Sequence, residues 1–277
     1  MINICTLCDK SYLLKGLAMR QSLIDLGVDY KIYWLCLDFE TKDALSRIND
    51  DRIILFSLAA LEEQDEQLRK AKDNPPSKYG SQRDNYIWSL TPYFVNLLFE
   101  KFFIHKDEYL MYVDSDIQFF QSPQIILDVI GNKSIGIHTH RFGPTRKKLD
   151  VGWYNVGVTV FKKDNDGVAA STMWKSWVMD TSNEFYQEYG TCGDQKYLEL
   201  FPLLFNGNVC VFDQDGRISH RAPWCCDEDN KPVVFFHFSH FQHDIEKNEW
   251  RDSLHGEWKP AQHAHIRPYY EKYFEVI

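Results

Sequence analysis

The sequence lacks several features that would assign it to a major class of protein. No apolar run approaches the roughly 20 residues of a membrane-spanning helix, and the N-terminal "MINICTLCDK" has the pattern of a short strand, not of a charged-then-apolar signal segment. A net charge of −9 argues against a broad nucleic-acid-binding surface. No internal repeat, low-complexity tract or clear linker interrupts the 277 residues. We therefore expect a globular protein without a transmembrane segment or a nucleic-acid partner, and peripheral membrane contact stays open.

The cysteines are scattered along the chain. The seven cysteines are an odd set, which fits a reducing cytoplasm better than a disulfide framework. Cys5 and Cys8 form a CxxC pair, and Cys225 and Cys226 are adjacent, but this spacing does not suit a zinc site. We interpret the cysteines as small buried apolar residues. The expected location is the cytoplasm, with the membrane surface as an alternative.

Strand and helix patterns alternate along the first half of the chain. Hydrophobic residues make up 44% and charged residues 26%, as in an ordinary globular protein, while the aromatic share of 15% is high. Strands are predicted at 2–8, 30–37, 52–58, a segment ending at Asp114, 134–140, 153–161, 209–212 and 233–239. Helices are predicted over about 13–26, over 41–48 with Thr41 as cap, and over 86–102 with Pro92 in the first turns. The alternation predicts an α/β protein with a mostly parallel sheet flanked by helices, in one domain.

The first predicted helix has an apolar pattern near helical spacing. Its apolar residues are Leu13, Leu14, Leu17, Ala18, Leu23 and Ile24. This pattern predicts that these side chains face the core.

An acidic pattern ends one of the apolar segments. In "EYLMYVDSDIQFF" (108–120), Asp114 and Asp116 are separated only by the small Ser115. Residues i and i+2 of an extended segment face the same side, and open α/β sheets bind ligands at the carboxyl ends of their strands. Two carboxylates are costly to desolvate without a partner, and their hard oxygen atoms suit Mg²⁺ or Mn²⁺, with substrate phosphates completing the shell. The motif therefore predicts a metal site.

Five segments, in order, resemble those of GT-A-fold, nucleotide-sugar-dependent glycosyltransferases. They are "TLCDKSY" (6–12), "YVDSDIQFF" (112–120), "WYNVGVTVFK" (153–162), "CGDQKYL" (192–198) and "FFHFSHF" (235–241). The chain most resembles the retaining family 8 group that includes glycogenin. The resemblance implies one GT-A domain, a Rossmann-like sheet flanked by helices over residues 1–277. Its nucleotide-binding half would be 1–120, and its sugar and acceptor half 121–277.

The resemblance also implies roles for the matched residues. Asp114, Asp116 and His237 would bind Mn²⁺ or Mg²⁺, and Asp194 and Gln195 would be the catalytic pair that holds sugar hydroxyls and lines the anomeric face. The donor-binding residues would be Thr6, Asp9, Tyr12, Asp114, Ser115, Asp116, Asn155 and Gly157. Within that set, the first-strand loop would address uracil and ribose, and the asparagine the donor sugar or the acceptor. The implied reaction moves a sugar from a nucleotide diphosphate sugar, UDP-linked, to a glycan, a lipid-linked or a protein acceptor, with retention.

Two departures from the family pattern bear on the site. His240 stands where a glycine is expected, and "WSLTPYF" (88–94) lacks the family's arginine, so that Arg83 or Lys78 would have to replace it. The third metal ligand is His237 or His240, since an extended strand places residues three apart on opposite sides. The family's order favours His237.

Structural interpretations of the same residues stay open. Asp9 and Asp194 could each cap a helix, Tyr12 could pack in the core, and the segment from Asn155 to Gly157 could be a strand irregularity. A histidine in "FFHFSHF" (235–241) could be a hydrogen-bonded core residue. The basic run "HRFGPTRKK" (140–148) could be a solvated loop, or could contact phosphates or an anionic lipid surface.

Two other functional classes also fit an acidic pair after an apolar strand. Aspartyl phosphotransferases and phosphatases use the first aspartate as a nucleophile, although Ile117-Gln118 does not match their small turn. A non-catalytic sugar-nucleotide-binding relative is the other alternative. The released product separates the three, because a transferase frees a nucleoside diphosphate, a phosphatase frees phosphate, and a binding protein frees neither.

Overall fold

The computed structural model describes residues 1–75, 80–101, 103–142, 151–179, 193–225, 230–244, 249–252 and 264–277. The strands are β1 (Ile2–Cys8), β2 (Tyr30–Cys36), β3 (Ile53–Ser57), β4 (Tyr109–Val113), β5 (Ile117–Phe119), β6 (Ile135–Thr139), β7 (Tyr154–Lys162), β8 (Val209–Val211), β9 (Ser219–Arg221), β10 (Val233–His237), β11 (Phe241–Asp244) and β12 (Glu249–Asp252). The helices are α1 (Leu13–Asp25), α2 (Phe39–Ser46), α3 (Leu58–Gln64), α4 (Glu66–Asp73), α5 (Gln82–Glu100), α6 (Gln124–Ile130), α7 (Asn165–Met179), α8 (Phe201–Leu204) and α9 (Arg267–Phe274). Short 3₁₀ turns lie at Lys196–Leu200 and Phe212–Gln214.

The main sheet has seven strands in the order β3-β2-β1-β4-β7-β6-β8. All neighbouring pairs are parallel except the two that β7 makes, with β4 and with β6. The predicted α/β class with a mostly parallel sheet is therefore confirmed. The strand order reverses between β1 and β4, because β2 and β3 lie on one side of β1 and the later strands lie on the other.

Alternating side chains of the strands bury opposite faces of this sheet. In β4, Leu110 and Tyr112 pack into the core beneath α5 and α7, whereas Met111 and Val113 pack into the core beneath α1 and α6. This period of two is what a strand covered on both faces requires, since every side chain must then be apolar or paired. The near-continuous apolar pattern of "YLMYV" follows from that double burial.

The buried face of α1 differs from the predicted one. Its buried side includes Lys15, Ala18, Met19, Ser22 and Leu23, while Leu14 and Ile24, which were expected to face the core, are exposed. The apolar residues of α1 are distributed around most of its circumference, so its sequence does not define a single buried stripe. Packing against β2 and β5 determines which side of the helix is buried. Consequently a lysine lies on the buried side of the helix.

Two predicted helix starts were wrong. The N-cap of α2 is Asp38, which accepts from the backbone N–H of Thr41 at 2.8 Å, and Thr41 itself lies inside the helix. Helix α5 begins at Gln82 after a capping box formed by Ser81 and Asp84, so Pro92 lies in its interior. The polar first turn of α5 carries no apolar periodicity, and only the Ser-to-Asp spacing could have predicted it.

A second sheet brings the end of the chain to the acidic motif. It contains β5, β10 and β9, and the sequence did not predict the three-residue strands β5 and β9. Strand β10 runs antiparallel to β5, with His237 opposite Ile117. Beyond β10, Phe238 stacks on Tyr273 of α9 with ring centroids 3.8 Å apart. This aromatic packing holds the end of β10 beside the turn after β4.

Residues 143–148 of the basic run, together with Lys78, lie outside the described residues. The five described cysteines are free and buried, in agreement with their interpretation as small apolar residues. Within the described ranges, no helix has both the length and the apolar character needed to cross a membrane.

Candidate functional site

The acidic motif lies where the strand order of the main sheet reverses. Asp9 follows β1 and Asp114 follows β4, and these two strands are parallel neighbours. Their carboxyl ends therefore open on the same crevice, the usual ligand site of an open α/β sheet. The crevice has two parts, called after the roles that the sequence predicts for them: the metal end, consisting of Asp114, Asp116 and His237, and the nucleoside end, consisting of Asp9, Tyr12 and Arg83.

Asp114 and Asp116 lie on a turn and not on an extended strand. The N–H of Asp114 donates to the carbonyl of Gly157 at 2.8 Å, and the N–H of Ile117 donates to the carbonyl of Asp114 at 3.1 Å. The N–H of Phe238 donates to the carbonyl of Asp116 at 2.8 Å. The two carboxylates therefore converge because the turn between β4 and β5 is hydrogen-bonded to β7 and to the residue that follows β10. This convergence was predicted from the alternation of side chains along an extended strand, which does not apply to a turn.

His237 completes the metal end. Its Nε2 lies 3.2 Å from Oδ1 of Asp116 and 3.6 Å from Oδ2 of Asp114. The three side chains can place one ligand atom each within 4.8 Å of one another. The structure thus brings together the three residues that the sequence predicted as metal ligands, although they span more than a hundred positions of the chain.

Burial and charge act in opposite directions at the metal end. Burial opposes ionisation of His237, but the charges of Asp116 and Asp114 outweigh it and raise the histidine pKa. Burial likewise opposes ionisation of Asp116, and the nearby imidazole outweighs it and lowers the pKa of that carboxyl. The pKa of Asp114 is raised, by burial and then by the charge of Asp116, against the effect of His237. Two carboxylates sharing one imidazole leave a surplus of negative charge that a divalent cation would neutralise.

Asn155 determines which nitrogen of His237 faces the carboxylates. Its Oδ1 accepts from the N–H of Gly157 at 2.9 Å and lies 3.2 Å from Nδ1 of His237. Because Oδ1 is an acceptor, Nδ1 must be the protonated donor, and Nε2 carries the lone pair of the neutral ring. This arrangement, in which the second ring nitrogen donates to a carbonyl oxygen, is usual for metal-binding histidines.

Gly157 is required by the close approach of β7 to this histidine. A Cβ atom at residue 157 would lie 2.8 Å from Nδ1 of His237 and 2.7 Å from Oδ1 of Asn155. Any larger residue would displace one of the two partners. Asn155 is buried and holds His237, a contact that sequence reasoning missed when it assigned the residue to the sugar or the acceptor.

A chain of buried hydroxyl groups supports Asp114 from the other side. Tyr112 donates to Oδ1 of Asp114 at 2.7 Å, and the hydroxyl of Thr91 donates to that of Tyr112 at 3.3 Å. The Thr91 hydroxyl also contacts the carboxyl group of Asp194. Burial, followed by the charge of Asp114, raises the pKa of Asp194 well above its usual value.

The predicted catalytic pair lies against the same wall of the crevice. Gln195 is half-buried, and its Oε1 accepts from Nδ2 of Asn155 at 3.3 Å. The backbone carbonyl of Asp194 accepts from the indole N–H of Trp174 at 2.9 Å. Asp194 is not the N-cap of the 3₁₀ turn at Lys196–Leu200, a position that Gln195 occupies without a side-chain capping bond.

The nucleoside end is more open. Oδ1 of Asp9 accepts from the N–H of Ser11 at 2.9 Å, and its other oxygen pairs with Arg83. The N-cap of α1 is Tyr12, so Asp9 does not cap this helix. Tyr12 is 36% exposed, and Arg83, which was proposed to replace a phosphate-binding arginine, contacts Asp9 instead. Thr6 is fully buried within β1.

His240 does not follow the strand geometry that was predicted for it. Strand β10 ends at His237, and His240 adopts a left-handed backbone with φ of 64°. A glycine is favoured in that conformation, which agrees with the glycine expected there from the family pattern. Because the strand ends before His240, the alternation predicted for an extended strand does not apply to this residue.

The comparisons with known proteins concern the fold. No protein-family model matches the chain. An uncharacterized protein, YfnF of Bacillus subtilis (strain 168), is 26% identical over 261 residues, which are 86% of this chain and 81% of YfnF. The structure of mouse xyloside xylosyltransferase 1 in its apo form matches with a TM-score of 0.56 at 13% identity, covering 86% of this chain and 97% of that one. Galactosyltransferase LgtC, in complex with donor and acceptor sugar analogs, matches with a TM-score of 0.52 at 17% identity, covering 86% of this chain and 87% of its own.

At these identities the likeness concerns the architecture. The chain has the mostly parallel α/β fold of GT-A glycosyltransferases, as its motifs predicted. The narrower resemblance to family 8 stays a prediction.

Proposed function

We propose that this protein is a metal-dependent glycosyltransferase. Its donor would be a nucleoside diphosphate sugar, UDP-linked, and its acceptor a hydroxyl group of a glycan, a lipid-linked saccharide or a protein. The observation that carries the proposal is the metal end itself: two carboxylates and one imidazole converge at the strand-order reversal of a GT-A fold. Three further parts of the proposal are expected from the resemblance and the composition: retention of the anomeric configuration, Mn²⁺ or Mg²⁺ as the ion, and a location in the cytoplasm or at the membrane surface.

The chemistry of the three side chains fits a hard divalent cation. Asp114, Asp116 and His237 offer two oxygen ligands and one nitrogen ligand, a set that suits Mn²⁺ or Mg²⁺. Three protein ligands leave coordination positions for phosphate oxygens. A cation bound there would supply positive charge next to the diphosphate, where negative charge develops as the anomeric bond breaks.

The surrounding side chains keep the metal end in place before substrate binds. Tyr112 holds one oxygen of Asp114, and Asn155 holds His237 in the tautomer whose Nε2 faces the carboxylates. All these groups lie on strands of the two sheets or on the turn between them. Ligands that are already oriented lose little conformational entropy when a substrate binds.

Asp194 and Gln195 are proposed to contact the transferred sugar. The carboxyl group of Asp194 can accept a hydrogen bond from a sugar hydroxyl, or donate one when it is protonated, and the amide of Gln195 can donate to an oxygen near the anomeric carbon. The sugar passes through an oxocarbenium-like state, as in glycosidases, and polar groups near its face stabilise that state. At the nucleoside end, Asp9 would accept from the uracil or ribose, and Tyr12 would stack on a ring.

The experiment that tests the proposal is a release assay with a panel of nucleotide sugars and Mn²⁺, which measures nucleoside diphosphate and inorganic phosphate separately. We expect nucleoside diphosphate, no phosphate, and loss of the signal in excess EDTA. Asp116→Ala should abolish release without changing the circular dichroism spectrum, because this carboxylate belongs to the site and not to the apolar core. Full activity in EDTA or in this variant would contradict a metal-dependent transferase, and release of phosphate would favour a phosphatase.

A further inference from the structure

Helix α1 carries a lysine on its buried side. Lys15 is 3% exposed, and its Nζ has no hydrogen-bond partner among the described residues. The ammonium group lies 3.8 Å from the centroid of the Tyr12 ring, one turn earlier. An ammonium ion has three donors and is costly to bury without acceptors. The burial of Lys15 is therefore costly, whereas burial of the apolar residues on the same side of the helix is favourable.

The lysine lies between the two ends of the crevice. The charges of both Asp116 and Asp9 act on it, and they oppose the lowering of its pKa by burial. The next residue, Gly16, brings α1 against the acidic turn: a Cβ atom there would lie 3.5 Å from the Cβ of Ser115. At the start of the helix, the N–H of Tyr12 donates to the carbonyl of Asp9 at 3.0 Å, so the first turn of α1, which carries Lys15, lies beside both Asp9 and the acidic turn.

A purely structural role would give the lysine an ion-pair partner. Among the described residues, neither carboxylate lies within 4.0 Å of Lys15. Instead, Asp9 pairs with Arg83, and Asp116 pairs with His237. Both carboxylates already have closer partners, so neither of them occupies the donors of the lysine.

We propose that Lys15 is an anion-binding residue of this site and that its ammonium group binds a phosphate oxygen of the donor's diphosphate. The proposal rests on the proposed function. The phosphates of such a donor are repelled by the carboxylates on either side, and a fixed positive charge between them offsets this repulsion. Lysine is a common phosphate-binding residue because its ammonium is a compact charge. Arg83 is the basic residue that α5 contributes near this crevice, and it is already paired with Asp9.

Calorimetric titration of the Lys15→Met variant with UDP and with uridine, both in the presence of Mn²⁺, tests the proposal. Methionine has a similar length and no charge. We expect UDP affinity to fall about tenfold or more, as for loss of a hydrogen bond to a charged group, and uridine affinity to stay unchanged. Lys10→Met is the matched control, because Lys10 lies in the turn just before α1 but pairs with Glu40 at the surface. This control should bind UDP as the wild type does.

Two further measurements separate anion binding from damage to the fold. Removing an unpaired buried ammonium should raise the melting temperature of the ligand-free protein, whereas loss of a structural ion pair would lower it. Binding of Mn²⁺ alone, followed by electron paramagnetic resonance, should be unchanged or tighter, because a nearby positive charge has been removed.

The outcomes distinguish this proposal from the proposed function. If the wild type binds UDP with Mn²⁺ and Lys15→Met binds it equally well, Lys15 does not bind the diphosphate and the inference is overturned. A lower melting temperature together with weaker Mn²⁺ binding would also overturn it in favour of a structural role. If the wild type does not bind UDP at all, the proposed donor fails, and the inference fails with it.

Discussion

The metal end and the nucleoside end of the crevice differ in how firmly their side chains are held. At the metal end, the side chains of Asp116 and His237 are only 9% and 8% exposed, and hydrogen bonds from β4 and β7 orient the ligands. At the nucleoside end, Arg83 has a side chain that is 64% exposed, and its ion pair with Asp9 competes with water. Buried pairs are disrupted at a large cost, whereas exposed pairs contribute about 0–1 kcal/mol. We therefore expect substitutions at the metal end to have much larger effects than substitutions at the nucleoside end.

His237→Ala should give the largest effect in this comparison. Loss of a residue that orients a metal ligand typically lowers metal affinity about 10- to 100-fold. His237 is proposed as a ligand itself, so its loss should lower Mn²⁺ affinity about 100-fold or more. The measurement is Mn²⁺ affinity together with the Mn²⁺ concentration that gives half-maximal release of nucleoside diphosphate.

The control for that prediction is His240→Gly. Glycine is favoured at the φ of 64° that residue 240 adopts, so this variant should fold normally and keep its Mn²⁺ affinity within about threefold of the wild type. The opposite pattern, with His240→Gly impaired and His237→Ala unaffected, would show that His240 is the third ligand.

A second prediction concerns pH at the metal end. The raised pKa of His237 means that the ring holds its proton to a higher pH than an ordinary histidine, and a protonated ring cannot bind a metal. Mn²⁺ affinity should therefore fall as pH drops through this raised pKa and level off above it. Titration of Mn²⁺ across that pH range should show about one proton released per ion bound.

Protonation of His237 also affects the stability of the metal-free protein, which is measured by unfolding at different pH values. Protonated His237 pairs with Asp116, so the stability from this pair is present below the unfolded-state pKa and is lost as pH rises through the higher folded-state pKa. His237→Ala should remove both pH dependences. An Mn²⁺ affinity that does not change with pH in the wild type would mean that the histidine does not ligate the ion.

Arg83→Gln should have the smallest effect. Only the arginine side of its ion pair with Asp9 is exposed, at 64% against 10% for the Asp9 side chain, and a solvent-screened interaction of about 1 kcal/mol corresponds to a change of about fivefold in affinity for the donor. The Michaelis constant for the donor and the melting temperature are the measurements. A loss as large as that of His237→Ala would remove the distinction between the two ends.

The sequence predicted those residues of the site that belong to a recognisable local pattern. Asp114 and Asp116 were found because they follow an apolar strand, and His237 because it matched a family motif. Lys15 was missed, although a charged residue within a largely apolar helix is itself a signal of an unusual environment. Tyr112 and Thr91 were also missed, since an aromatic in a strand and a threonine in a helix are ordinary there, and their hydroxyl chain exists only in the folded protein.

Local periodicity determined the alternation of strands and helices and the position of the acidic motif after β4, because each of these depends on residues that are close in the sequence. The tertiary structure decided which side of α1 is buried, and hence that Lys15 is buried. It also decided that β10 pairs with β5, which places His237 beside two carboxylates more than a hundred residues away. Pairing between distant segments depends on which surfaces are buried together. That choice involves the whole chain, and the three-residue strand β5 is too short to reveal it.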